Sequence, residues 1–260
     1  MPSAPYVRPS TRPPQVPHAT GGRDPATPCP RRPPRLPPPG VGSPDITFDQ
    51  AAATIRRALA SRPPRRIEVP GFRRAAILVP LLDRPGGPTF LFTRRTEAVK
   101  KHRGEISFPG GHQEPGEEPV DAALREAREE VGLAPERVEV LGSLDQRPSV
   151  TSYLVTPFVG LVRQPPADFA REEREVHEVF EVPLDRFLRP GMPRGEWWDA
   201  RRLPPDLPPR RLDDLADVEV DRDSGRYRVW FFDVAPDRII WGLTARVLKE
   251  LLDRALRPPG

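Results

Sequence analysis

Apolar residues along this chain follow two rhythms. The segment ITFDQAAATIRRALA (46–60) has helical spacing and composition, with Asp45 or Thr47 placed to cap it. SRPPRRIEVPGF (61–72) is too basic and proline-rich to continue that helix and predicts a loop. AAILVPLL (75–82) is a continuous apolar run, the mark of a buried strand. TFLFTRR (89–95) follows after the turn RPGG, so the two predict a hairpin. EISFPGG (105–111) predicts a short strand ending in a glycine pair.

The clearest helix comes next. Pro119 suits its first position, and Val120, Ala123, Leu124, Ala127 and Val131 recur as one apolar stripe. Gly132 is placed to end it. Strands are predicted at RVEVLGSL (137–144), YLVTPFVGLV (153–162), EVHEVFEVPL (175–184) and RYRVWFFDV (226–234). The stretch from Pro190 to Pro209 predicts a loop or insertion, and WGLTARVLKELLDRAL (241–256) an amphipathic C-terminal helix. Strands and helices mixed in this way imply an α/β fold, a sheet covered by helices on both faces.

Composition changes the picture at one end only. Residues 1–44 are dense in Pro, Arg, Gly and Ser and poor in aliphatics, so they predict a disordered tail ahead of one domain over 45–258. The formal charge of +4 is too modest to make nucleic acid the expected partner. A lone cysteine, Cys29, excludes a disulfide framework or a cysteine metal site and fits a cytoplasmic protein. No apolar run reaches membrane-spanning length, and the first residues lack the apolar core of a secretory signal.

The chemistry concentrates in GHQEPGEEPVDAALREAREEVGL (111–133). Glu126, Glu129 and Glu130 fall within roughly a 100° arc of the helix, beside its apolar stripe. Like charges at that spacing repel by a few tenths of a kcal/mol per pair, roughly as much as an opposite pair gains. Hard divalent cations, Mg²⁺ or Mn²⁺, are the natural compensation. A bare REAREE is more often an ordinary acidic helix face. The flanking spacing decides against that: Gly111, five residues, Glu117, seven residues, Arg125-Glu126-Ala127, one residue, Glu129-Glu130, one residue, Gly132-Leu133. Chance agreement at seven single-residue positions is on the order of 10⁻⁸ per start site.

This segment resembles the Nudix box at every defined position. The resemblance implies an α/β/α sandwich around a mixed sheet, and metal-assisted hydrolysis of a diphosphate. It implies Glu126 and Glu130 as principal metal ligands, Glu129 as a third, and Gly110 close to metal or phosphate. Glu117, Arg125, Gly111 and Gly132 are implied as structural. Glu129 or Glu130 in the box, or Glu175 or Glu178 outside it, would accept the proton of the attacking water. Upstream, LFTRRTEAVKKHRGEISFPGG (91–111) resembles the signature preceding the box in coenzyme A pyrophosphatases. Leu91, Thr93, Arg95, Gly104, Phe108, Pro109, Gly110 and Gly111 match in register. Phe92, Thr96 and Lys100 depart from it, and Lys100 loses bidentate phosphate geometry unless Arg103 supplies it. Arg95, Lys100 and Arg103, with the backbone of Gly111, are the expected substrate contacts, while Lys101 and His102 belong to the same basic run, part of which is expected on solvent. The expected partner is coenzyme A or a derivative, with a homodimer allowed and no membrane. The alternatives are another Nudix substrate (ADP-ribose, a dinucleotide or a nucleoside triphosphate) and a non-catalytic binding module.

Overall fold

A computed structural model describes residues 46–96, 104–149, 151–199, 219–221 and 223–257. The expected tail, Asp45, Lys100, Lys101, His102, Arg103 and residues 200–209 of the expected insertion lie outside the described residues. Helix α1 (Phe48–Ser61) starts where its sequence allows a reciprocal cap. Thr47 Oγ1 accepts from the Gln50 amide at 3.2 Å, and the Gln50 side chain accepts from the Thr47 amide at 2.9 Å.

The centre of the molecule is a mixed sheet. Strands β1 (Arg73–Leu82) and β7 (Tyr153–Val162) run parallel in register from Arg73↔Tyr153 to Leu82↔Val162. On its other side β1 meets β2 (Thr89–Arg95) as the expected antiparallel hairpin at Leu81↔Phe90. Further along, β2 gives way to β4 (Gly110–His112), which pairs with β1 from Ala75↔His112 to Ile77↔Gly110. The expected single strand over 105–111 is therefore two pieces, β3 (Ile106–Ser107) on β2 and β4 on β1. Strand β8 (Val176–Pro183) lies on the far side of β2, while β5 (Glu139–Ser143) and β6 (Arg147–Pro148) pair with β7.

The pleat of β1 explains why its whole run is apolar. Val79 and Leu81 face one way, into a core shared with Ile55 of α1, Leu184 and Phe187 of the short helix α3 (Leu184–Phe187), and Leu248 and Leu252 of the C-terminal helix α4 (Gly242–Ala255). Ala76, Leu78 and Leu82 face the other way, against Ala123, Ala127 and Val131 of α2 (Pro119–Val131). A strand covered on both faces has no polar side to show. Each fully buried side chain of Val or Leu size contributes about 1.5–3 kcal/mol. Helix α2 has Pro119 at its start, and it ends at left-handed Gly132 (φ 69°), whose N–H reaches the Ala127 and Arg128 carbonyls. Its stripe is narrower than expected: Val120 and Leu124 are only half-buried, while Glu130 is buried.

A second, antiparallel sheet contains β9 (Arg194–Asp199), β10 (Val220–Asp221), β11 (Arg226–Ala235) and β12 (Arg238–Trp241). Here the structure corrects the sequence reading of a loop across Pro190–Pro209. RGEWWD is a strand, paired with β11 from Arg194↔Phe231 to Asp199↔Arg226. The reason is tertiary. A Cβ on Gly195 would lie 2.2 Å from Arg228 Nε, so the glycine that weakens the strand pattern makes room for a neighbour. The Arg228 guanidinium stacks on Trp197 and Trp230, at 5.5 and 4.6 Å from their rings. Among the described residues, no helix is long and apolar enough to cross a membrane.

Candidate active site

Two glycines let α2 press its carboxylates onto the sheet. Gly110 runs at φ 153°, and a Cβ there would sit 2.4 Å from the Ala76 carbonyl oxygen. A Cβ on Gly111 would sit 2.5 Å from Glu126 Cδ and Oε1. The Glu126 carboxylate thus occupies the space that any other residue at 111 would fill. One turn later, Glu130 Oε2 accepts from the Gly110 amide at 3.1 Å. Glu126 and Glu130 are therefore both brought to β4, by helical spacing on one side and missing side chains on the other.

Arg125 fixes this arrangement. Its Nε and Nη2 donate to the two oxygens of Glu117 at 2.9 and 3.1 Å. Nη2 also reaches the His112 carbonyl at 3.0 Å, and Nη1 donates to Glu126 Oε1 at 3.0 Å and Glu129 Oε2 at 3.1 Å. Glu117 in turn accepts from the Glu114 amide at 2.9 Å. One guanidinium so ties the 112–117 loop to the helix and aims Glu126. The Arg125 bond holds the Glu117 carboxyl below the usual range.

The electrostatics of the two carboxylates differ from that of Glu117. Burial pushes the Glu130 carboxyl up to about 7. The Gly110 amide and the Arg95 charge oppose that rise, and Glu126 and Glu175 add to it. Glu126 is also raised, by burial first, against the pull of Arg125. Arg125 and Arg95 offset these two desolvated like charges, four residues apart, only in part, since both carboxyls are still raised. Among the described residues, no group of three or more His, Cys, Asp or Glu is placed to hold a metal by itself. Mg²⁺ does not need such a cage, because it is bound through one or two carboxylates, with water and substrate phosphate completing its shell. The donor chemistry of Glu126 and Glu130 fits such an ion.

The remaining candidates separate. Glu129 is mostly exposed at 59% and turned to Arg125. Arg95, on β2, approaches Glu175 at 3.8 Å and acts on Glu130. Glu178 is not brought to this group. It is paired across the sheet with Arg94, next to Phe180, which packs into the α1 and α4 core. Its carboxylate meets Arg238 of β12, whose guanidinium also lies 4.8 Å from the Phe180 ring. The sheet thus stands between Glu178 and α2. An irregularity between Arg94 and Arg95 in the β2–β8 register keeps Glu175 at the Arg95 side. Sequence reading missed two backbone groups: the His112 carbonyl that holds Arg125, and the Glu172 amide that donates to the Glu130 carbonyl at 3.0 Å. Backbone partners carry no residue-type signal, so nothing in the sequence could have marked them.

The chain is similar in sequence to known proteins. The family model described as the NUDIX domain matches residues 71–207. A protein of Pectobacterium atrosepticum, called the uncharacterized Nudix hydrolase NudL, is 36% identical over 198 residues, covering 76% of this chain and 90% of its own. Its namesake in an Enterobacter species is 34% identical over 208 residues, 80% of this chain and 94% of its own. Among solved structures, a C. elegans Ap4A hydrolase in a binary complex aligns with TM-score 0.38 and 23% identity over 43% of this chain and 80% of that one. The MutT protein of Methanosarcina mazei aligns with TM-score 0.37 and 24% identity over 47% and 84%.

Proposed function

We propose that this chain, which belongs to the Nudix family, hydrolyses the diphosphate of coenzyme A or its thioesters. Water adds to one phosphorus, the bridging P–O bond breaks, and the products are 3′,5′-ADP and 4′-phosphopantetheine or its acyl form. The observation that carries the substrate assignment is the segment 91–111, which resembles the coenzyme A pyrophosphatase signature at eight positions in register and includes Arg95, whose charge acts on Glu130.

Each residue then has a task. Glu126 and Glu130 would hold Mg²⁺ or Mn²⁺, which when bound supplies charge neutralisation at the diphosphate and makes water more acidic. Arg125 aims Glu126 and is a positioning residue. Arg95 offers a planar fork to a phosphate. Gly110 and Gly111 keep the floor of the site free of side chains. We assign the water's proton to Glu175, the candidate outside the box on the side of α2, with Glu129 and Glu130 as the candidates within it.

A substrate panel with Mg²⁺ or Mn²⁺ tests this: coenzyme A, an acyl-coenzyme A, NADH, ADP-ribose and nucleoside triphosphates. Release of 3′,5′-ADP from the coenzyme A compounds at the highest kcat/KM is expected. Preferred cleavage of any other member overturns the substrate and leaves the family.

A further inference from the structure

We propose that a cavity between β2, β8 and the loop after β7 receives the pantetheine arm of the substrate. The inference rests on the coenzyme A reading and adds a site to it. The cavity is about 270 Å³ and is lined by Leu91, Val179 and Phe169, with Asp168 and Glu181 at its polar edge and Ala167 on the exposed loop.

Its position follows from the strand register. Leu91 belongs to the core cluster on the side of α2, and Val179 and Phe169 pack against that cluster. Val179 is paired with Thr93 and Glu181 with Leu91. Thr93 is two residues from Arg95 on β2, and Leu91 is four. At about 3.3 Å per residue, the cavity begins about 7 Å from Arg95 and extends to about 13 Å. Thirteen bonds separate the phosphorus of 4′-phosphopantetheine from its sulfur, a reach of roughly 16 Å when each advances about 1.25 Å. By length alone, an arm leaving a diphosphate at Arg95 can therefore bring its sulfur end to the far wall of the cavity.

Charge and size select the same end of the substrate. The lining holds two acids, and the one cation described at its wall, Arg84, is already paired with Glu181, so a phosphate would gain little counter-charge there. Glu181 is already engaged by Arg84 Nη2 at 2.6 Å and Thr89 Oγ1 at 2.6 Å, which holds that wall in place. The pantetheine arm is uncharged, slender and carries two amide N–H groups that Asp168 or Glu181 can accept. The volume lies below the roughly 300–1,000 Å³ that encloses a whole drug-sized ligand. It suits a chain and not a nucleoside.

The test is the Ala167→Trp variant, which puts an indole into the cavity from an exposed loop and leaves the buried core alone. Wild-type protein should hydrolyse coenzyme A and be inhibited competitively by free pantetheine. In the variant, KM for coenzyme A should rise about tenfold with kcat unchanged within about twofold, the pattern of lost uniform binding, and inhibition by pantetheine should vanish. If Ala167→Trp fails to fold, Val179→Phe is the second plug, read in the same way. Wild-type hydrolysis with unaltered KM in a folded plug variant and no inhibition by pantetheine overturns the cavity and leaves the coenzyme A reading intact. No hydrolysis of coenzyme A by wild-type protein overturns both.

Discussion

The Glu126 carboxylate fills the space a side chain at Gly111 would occupy, and a single methyl group tests that contact. In Gly111→Ala the new Cβ would stand 2.5 Å from Glu126 Cδ, where unstrained carbon atoms do not approach. The backbone at 111 is not among the positive-φ glycines, so alanine adds no conformational strain there. The clash has one cheap release: the Glu126 carboxylate swings off the strand and loses its 3.0 Å bond to Arg125. A charge-assisted bond of this kind is worth about 1.5–3 kcal/mol, partly regained from water as the carboxylate moves out. The expected loss of folding stability is therefore about 1–2 kcal/mol. The loss of function should be larger, because one of two carboxylates no longer faces the cation. Disturbing the support of metal ligands costs 10–100-fold, so half-saturation by Mg²⁺ should rise by about that factor. Hydrolysis of the panel's best substrate is followed against Mg²⁺ concentration, with urea unfolding alongside. Gly116→Ala is the control: it sits at φ 81° with no atom within 4 Å of its new Cβ. It should cost about 1–2 kcal/mol in backbone strain and leave the Mg²⁺ dependence untouched. Wild-type Mg²⁺ dependence in Gly111→Ala would refute the placement of Glu126 as a ligand.

Glu130→Gln should nearly abolish Mg²⁺-dependent turnover while the protein stays folded; full activity would remove Glu130 from the metal site. The same variant has a pH signature in metal-free protein. The folded carboxyl titrates near 7, above its unfolded value of 4.5, so the group favours folding when protonated. That contribution is complete below pH 4.5 and lost as pH rises through 7, by about 3 kcal/mol at most. Urea midpoints should therefore show Glu130→Gln gaining on wild type between pH 5 and 8; parallel pH curves would contradict the burial. Glu175→Gln should lower kcat by about 10²-fold or more, the scale of general-base catalysis, whereas Glu178→Gln, beyond the sheet, should stay within severalfold. The opposite order would exchange their roles. Deleting residues 1–43 should leave kcat/KM unchanged, and lost hydrolysis would make that segment part of the site.

The box and its helix were legible because their signals are local. Helical periodicity, Pro119 and Gly132 define α2, and the spacing of Gly111, Glu117, Arg125 and the three glutamates needs no knowledge of distant residues. The strands β1, β2, β7, β8 and β11 were legible for the same reason, as apolar runs between turn residues. Strand β9 was not. RGEWWD carries a glycine and three charges in six residues, and it becomes a strand because β11 offers a ladder and aromatic partners.

By itself the sequence determined the α/β class, the helix that bears the carboxylates and the positions of those carboxylates along it. Only the tertiary structure decided which of them meet. Glu130 lay beside the apolar stripe on a helical wheel, yet it is buried because β4, with no side chains at 110 and 111, admits the helix that closely. Glu175 and Glu178 are three residues apart and looked equivalent. The tertiary structure separates them: Glu178, on β8, meets Arg238 on the face of Phe180, whereas Glu175, just before the strand, lies 3.8 Å from Arg95. Spacing along a chain fixes neighbours on one element, whereas an active site is assembled across several.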